Sequence, residues 1–154
     1  MKYLLDTNIL LALGEPEHVH SERVLRWMSP LLRNSLWPVF ETCAITELGF
    51  IRIAARPGGW CSDVETAKRY LRRLKVGRPF TFIHDGIDAQ SLPNWATRSK
   101  HVMDGHLLQL AVSSGSKFAT LDEGIPGALL IPHLGDGGLE VREPVLAYGN
   151  TAAA

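Results

Sequence analysis

The chain opens on a strand that ends in an acid. Lys2-Tyr3-Leu4-Leu5 reads as a short buried strand, Asp6 follows at once, and the apolar run from Ile9 to Leu13, closing at Gly14, reads as a helix. A strand that passes through an acid straight into a helix sets that acid at the carboxyl edge of a sheet, where open α/β sheets hold their ligands. Taken singly, Asp6 is more simply a cap, because its oxygens can accept the free N–H groups of a first helical turn. It gains weight because three more acids stand at comparable places further on.

Strands and helices alternate along the rest of the chain. From Ser21, the residues Val24, Trp27, Met28 and Leu31 fall at helical spacing, and Pro30 obscures the end of that helix. Residues 35–40 form a short apolar run whose Pro38 limits it to a brief or peripheral strand. A helix is expected over residues 42–55, stopping before Pro57-Gly58-Gly59, and another from Ser62, where Ser62 and Glu65 have the form of a capping box. Val64, Ala67, Leu71 and Leu74 give that helix its apolar face, with Lys68, Arg72, Arg73 and Lys75 mostly opposite. Residues 80–83 read as a strand, residues 85–99 as helical in parts with Pro93 in a first turn, and residues 103–112 as a helix. Strands at 117–121, ending in Asp122, and at 128–131 follow, with a last edge strand at 139–141. This order implies a mostly parallel sheet covered on both faces, a three-layer α/β domain.

Length and charge narrow the field. A chain of 154 residues fits one domain, taken as residues 1–150, with 151–154 expected to be a disordered tail. Sixteen basic and sixteen acidic side chains cancel, so a polyanionic partner must meet a local basic patch rather than the field of the whole molecule. Two cysteines, Cys43 and Cys61, are too few for a disulfide framework and read as buried or free thiols. No apolar run approaches the roughly 18 residues of a membrane span. The leucines after Lys2 do not make a secretion signal, because Asp6-Thr7-Asn8 interrupts them and no small-residue cleavage site follows, so a cytoplasmic setting is the expectation.

The acids are more informative as a set than singly. Glu47 lies within its helix beside Cys43, Phe50, Ile51 and Ala54, so one flank of its face is apolar. A carboxylate packed there without a partner is costly, which a metal ion, an arginine or a raised pKa would relieve. Asp104 opens the 103–112 helix, where an acid complements the helix dipole. Asp122 ends a strand ahead of Gly124 and Pro126, a turn position. Asp6 and Asp122 both end parallel strands and so share an edge, and Asp104 joins them only if its entry loop bends over that edge. Carboxylates crowded in one place repel one another unless cations are present. Hard divalent ions such as Mg²⁺ or Mn²⁺ favour oxygen ligands of this kind, and one or two of them can activate water against a phosphodiester. Thr7, Asn8 and Thr120 add short polar groups beside these acids.

These residues carry a resemblance. Leu-Leu-Asp-Thr-Asn at 4–8 resembles the opening motif of PIN-domain ribonucleases; Ile45-Thr46-Glu47-Leu48 resembles their second acidic motif. Val102-Met103-Asp104-Gly105-His106-Leu107-Leu108 resembles the third, and Phe118-Ala119-Thr120-Leu121-Asp122-Glu123-Gly124 the fourth. Order, residue types and length agree over nearly the whole chain, and the nearest group is the VapC toxins of bacterial toxin–antitoxin pairs. The resemblance implies a five-stranded parallel sheet between helices and a Mg²⁺- or Mn²⁺-dependent endoribonuclease. It carries over Asp6, Glu47, Asp104 and Asp122 as catalytic and metal-binding acids, Asp6 and Asp104 most directly, with Thr7, Asn8 and Thr120 as supporting polar residues. It further implies an RNA substrate, a homodimer and a cognate VapB-like antitoxin. Gly105 departs from the pattern, which more often has a larger or small apolar residue there, without being expected to disturb the acid.

Other features weigh less. His18 and His20 lack a third zinc ligand. His101 and His106 flank Asp104 but read as surface or core residues. The run Lys68, Arg69, Arg72, Arg73, Lys75 and Arg78 reads as a solvated helix face, and Lys68, Arg72, Arg73 and Lys75 are the candidates for holding RNA phosphates. Trp27, Trp37, Trp60 and Trp95 could stack on bases, with core or dimer packing the simpler use for most. Two other functions compete. A haloacid-dehalogenase-like phosphotransferase also uses a strand-terminal Asp, but needs a second Asp two positions on, where Asn8 stands. A non-catalytic RNA- or protein-binding module on the same scaffold would have no need of all four acids.

Overall fold

The computed structural model describes residues 1–33 and 39–135. Its elements run β1 (Lys2–Leu5), α1 (Thr7–Gly14), α2 (Ser21–Arg33), β2 (Val39–Thr42), α3 (Ala44–Ala54), α4 (Val64–Lys75), β3 (Phe80–Phe82), α5 (Val102–Ser113), β4 (Lys117–Thr120) and β5 (Leu129–Leu130). The five strands form one sheet in the order β3-β2-β1-β4-β5, and every neighbouring pair is parallel. The expected edge strand at 139–141, the 151–154 tail and Trp37 lie outside the described residues. Among the described residues no helix is long and apolar enough to cross a membrane.

The sheet is covered on both faces because the strand residues alternate between two cores. Tyr3, Leu5, Phe40 and Ala119 pack with α1, α2, α3 and α4 in one cluster, while Leu4 and Phe118 pack with Leu107, Leu110 and Ala111 of α5 in another. Leu4 and Leu5 are both fully buried, on opposite faces. A central parallel strand buried on both sides must be apolar throughout, as the opening leucines are.

Several element limits differ from those read off the sequence. Thr42 is the last residue of β2, not the start of α3, because it pairs with Phe82, so α3 begins at Ala44 and Glu47 stands in its first turn rather than mid-helix. Cys43 is accordingly the residue that caps α3, and both cysteines are buried and unpaired. The Ser62–Glu65 capping box is not formed. Asp63 caps α4 instead, its Oδ1 accepting the Thr66 amide at 2.7 Å while Ser62 Oγ donates to Oδ2 at 2.8 Å. Helix α2 runs through Pro30. Residues 85–99 contain no α-helix: only the 3-10 turns Ala89–Ser91 and Ser99–His101 form between β3 and α5.

That irregular segment explains Gly105. A Cβ at this position would lie 3.0 Å from both Ala96 Cβ and Pro93 Cδ. Pro93 therefore does not begin a helix; it presses on the first turn of α5, next to Asp104. Overpacking such a contact typically costs about 1–3 kcal/mol. Gly105→Val is expected to destabilise the protein by about that amount, and Gly105→Ala by less, despite alanine's better helix propensity. Urea denaturation of the two variants checks the order.

Candidate active site at the carboxyl edge

β1 and β4 are neighbours, yet the chain leaves β1 for β2 on one side and β4 for β5 on the other. Such a switch point opens a crevice at the carboxyl ends of the two strands. Asp6 follows β1 into it and Asp122 lies just beyond β4. Asp104 reaches the same edge without the bend of its entry loop that the sequence reading called for. A helix that follows a parallel strand starts at the carboxyl edge and returns across the sheet; α5 follows β3 in that way, so its first turn is already there.

The hydroxyl of Thr120 organises the crevice. Thr120 is fully buried, and its Oγ1 donates to Asp6 Oδ2 at 2.6 Å while accepting from Asn8 Nδ2 and from the Asp122 amide, each at 3.1 Å. One proton and two lone pairs are thus all used. Asn8 also accepts the Leu121 amide at 3.2 Å through Oδ1, so it clasps the end of β4 from α1. Asp6, 8% exposed, does not cap α1 with its side chain; its carboxylate is turned to the Thr120 hydroxyl.

Burial pushes the Asp6 carboxyl up to about 6; the Thr120 hydroxyl and the Thr7 amide hold it down in part, and the charges of Asp104 and Asp122 raise it further. Asp104, half-buried, is also raised, by burial and then by Asp122, with His101 acting the other way. Three of the four acids therefore feel one another. Asp122 is exposed and additionally makes the turn expected of it, its Oδ1 accepting the Gly124 amide at 2.8 Å.

Glu47 is differently placed. Its Oε1 accepts the Thr42 hydroxyl at 2.6 Å and pairs with Lys75 Nζ at 2.5 Å. Its turn of α3 lies beside the first turn of α1: Thr7 Oγ1 donates to the Thr46 carbonyl at 3.4 Å, and a Cβ on Gly49 would lie 2.6 Å from that hydroxyl oxygen. Thr7 thus supports the α1–α3 crossing, which only glycine at 49 permits.

Three participants were not legible in the sequence. Lys75 reads as part of a solvated basic face, yet it turns inward. Gly49 gives no sign of a close crossing. His101 reads as a bystander, yet it lies near enough to Asp104 to favour its ionised form, and its buried Nδ1 has no hydrogen-bond partner. His106, the other flanking histidine, is engaged elsewhere, Nε2 to Asp85 Oδ2 at 2.6 Å. On α4, Lys68 pairs with Glu65, leaving Arg72 and Arg73 exposed in the last turn. Trp27 packs on Tyr3 and Phe40, Trp60 on Phe50 and Trp95 beside His101, so these three rings serve packing.

A carboxyl that binds its proton more tightly folded than unfolded weakens the fold once that proton is lost. Between the ordinary 3.8 and about 6 the native state holds more protons, so stability falls as pH rises through this window and stays lower above it, by about 3 kcal/mol at most. Asp6→Asn, which keeps an acceptor for Thr120, is expected to be more stable than the native chain at pH 8 in EDTA, the difference shrinking to nothing near pH 4. Thermal melts across that range check it.

No protein-family model matches the chain. It is 31% identical over 141 residues to ribonuclease VapC44 of Mycobacterium tuberculosis, covering 83% of this chain and 94% of that one. It is 30% identical over 126 residues to ribonuclease VapC38 of the same organism, covering 79% and 86%. Among solved structures, VapBC2 from Rickettsia felis, bound to a DNA fragment from its promoter, superposes with a TM-score of 0.57 at 12% identity over 84% of this chain and 97% of that one. Mycobacterium tuberculosis VapC20, described as a sarcin-ricin loop cleaving toxin, gives 0.55 at 14% identity over 77% and 87%. The sheet order, the acids at its carboxyl edge and the extent of identity to the two mycobacterial ribonucleases agree: the chain belongs to the VapC family of PIN-fold ribonucleases.

Proposed function

We propose that the protein is a divalent-metal-dependent endoribonuclease, the toxin of a VapBC-type pair. The observation that carries this is that Asp6, Asp104 and Asp122 come to one carboxyl edge, where burial first and the neighbouring acids second raise the Asp6 and Asp104 carboxyls. Carboxylates gathered at one edge favour their ionised forms once a cation is bound among them. The donor chemistry fits Mg²⁺ or Mn²⁺: the acids offer hard oxygens, with no thiolate among them. Among the described residues no three His, Cys, Asp or Glu side chains form a group that could hold a metal ion; Mg²⁺ usually keeps several waters and binds through one or two carboxylates plus substrate oxygens.

When bound, such an ion supplies Lewis acidity toward water and the phosphodiester. The chain's own residues do the rest. Asp6, fixed by Thr120, is the most rigid ligand; Asp104 and Asp122 approach it from α5 and from the turn after β4. Glu47, on its own counter-ion, sits to one side. Arg72 and Arg73 offer exposed positive charge for RNA phosphates. An antitoxin of VapB type, a homodimer and a cytoplasmic setting belong to the same reading, and their support is family membership. The phosphotransferase alternative loses ground at Asn8, whose amide is committed to Thr120 and Leu121.

Asp6→Asn is expected to lower RNA cleavage by more than the roughly 10–100-fold that follows loss of an outer partner of a metal ligand, with the far-UV spectrum unchanged. EDTA should stop the native protein and Mn²⁺ restore it. Full cleavage by the variant, or in EDTA, would refute the assignment. Replacing Arg72 and Arg73 together by Ala should weaken RNA binding and flatten its dependence on salt by about 0.7 in log–log slope for each phosphate no longer neutralised; filter binding at several salt concentrations measures this, and an unchanged slope removes the two residues from the RNA path.

A further inference from the structure

The core accounts for one of the two phenylalanines of β3 and not for the other. Phe80 packs on Phe40, with ring centres 5.9 Å apart. Phe82, two residues on, belongs to neither apolar cluster and is 40% exposed. Polar neighbours gather on it instead. The ring of His84, also exposed, meets it edge-on, with centres 5.4 Å apart and planes at 79°. Lys75 Nζ lies over its face, 5.6 Å from the ring centre. A cation on an aromatic face is attracted to it, and it leaves the ring's other face for a flat partner. Because the same ammonium pairs with Glu47, it fixes the ring rather than a phosphate.

The sheet sets where this ring stands. Phe82 pairs with Thr42 and, one residue earlier on the other side of β2, Glu41 pairs with Leu4. Leu5, Thr42 and Phe82 therefore continue one row across β1, β2 and β3, and Asp6 follows Leu5 directly. Neighbouring strands stand about 4.8 Å apart, which sets Phe82 roughly 10 Å from the end of β1 along the same carboxyl edge. Basic side chains lead up to it. On α4, Arg72 stands three residues before Lys75 and Arg69 three before that, on one side of the helix, and both arginines are exposed. Cations beside an exposed ring are what proteins offer to single-stranded nucleic acid: charge for the phosphates and a π-face for a base. We infer that Phe82, backed by Lys75 and braced by His84, stacks on a base of single-stranded RNA, with Arg72 on a phosphate of the same strand. The inference rests on the reading of the site as one that cuts RNA, and adds that the substrate runs along the β3 side of the edge.

The test is the affinity for single-stranded oligoadenylate, measured by filter binding in EDTA so that cleavage does not run, with native, Phe82→Ala, Phe82→Leu and Phe82→Trp chains compared. Leucine keeps apolar bulk without a π-face; tryptophan keeps the π-face. Loss of one stacked base is expected to weaken binding by roughly 5- to 150-fold in Phe82→Ala and Phe82→Leu, while Phe82→Trp binds at least as tightly as the native chain. The slope of log affinity on log salt should not change, because the ring neutralises no phosphate. Native affinity in Phe82→Ala or in Phe82→Leu overturns the inference, as does a native chain that does not bind the probe. Any of these results leaves the nuclease reading standing where the native chain still cuts RNA and Asp6→Asn does not; a native chain that neither binds nor cuts RNA removes both. Thermal melts confirm that each chain is folded; if Phe82→Ala is not, Phe82→Leu is judged alone by the same outcomes.

Discussion

The hydrogen bond from Thr120 to Asp6 is the contact on which the site depends. It joins the ends of β1 and β4, the two strands between which the direction of chain winding reverses, and it spans 114 positions of sequence. A parallel sheet brings strand ends together but does not itself fix the side chains beyond them. Here the fixing is done by a hydroxyl with no bonding capacity to spare, because its remaining positions go to Asn8 and the Asp122 amide. The segments that bear Asp6 and Asp122 are thereby referred to one buried atom.

Among the described residues, two buried carboxylates are treated in opposite ways. Glu41, 1% exposed in β2, is fully answered: Lys2 Nζ lies 3.0 Å away, and the hydroxyls of Ser114 and Ser116 donate to its other oxygen. Lys2 also donates to the Ser114 carbonyl at 2.7 Å, tying β1 to the end of α5. A buried charge with several donors around it is compatible with a structural role. Asp6 has a hydroxyl, an amide and two hostile charges. That asymmetry separates a carboxylate answered by a cation and two hydroxyls from one whose burial is only partly offset.

Between these extremes lies Glu47, neutralised by Lys75 rather than by an arginine. Its placement follows from packing remote from the acids themselves: Gly49 admits Thr7, α3 then crosses close to α1, and α4 brings Lys75 back over the first turn of α3. Arg23, buried in α2, performs a comparable service at the sheet's other edge, donating to the carbonyls of Ile131 and Pro132 just past β5. Lys75 reads in the sequence as part of a solvated basic face, yet both cations are partly or fully buried and bonded within the fold.

The alternation of elements, the strand ends and the four acids were legible in residue order alone. Each of these is local: Leu4-Leu5 before Asp6 and Phe118-Ala119 before Thr120 state their environment within a few residues, because a strand buried on both faces tolerates little else. The order and types of the motifs then carried the resemblance. The first turn of α3 was not legible, since Thr42 joins the sheet only through a partner 40 residues away. Nor was the irregular approach to α5, where Pro93 needs Gly105 opposite it. Which acids share a field, and which one has a counter-ion, emerged only when the chain was folded. Those are properties of distances between segments far apart in the chain, and charge type and local spacing contain no information about them.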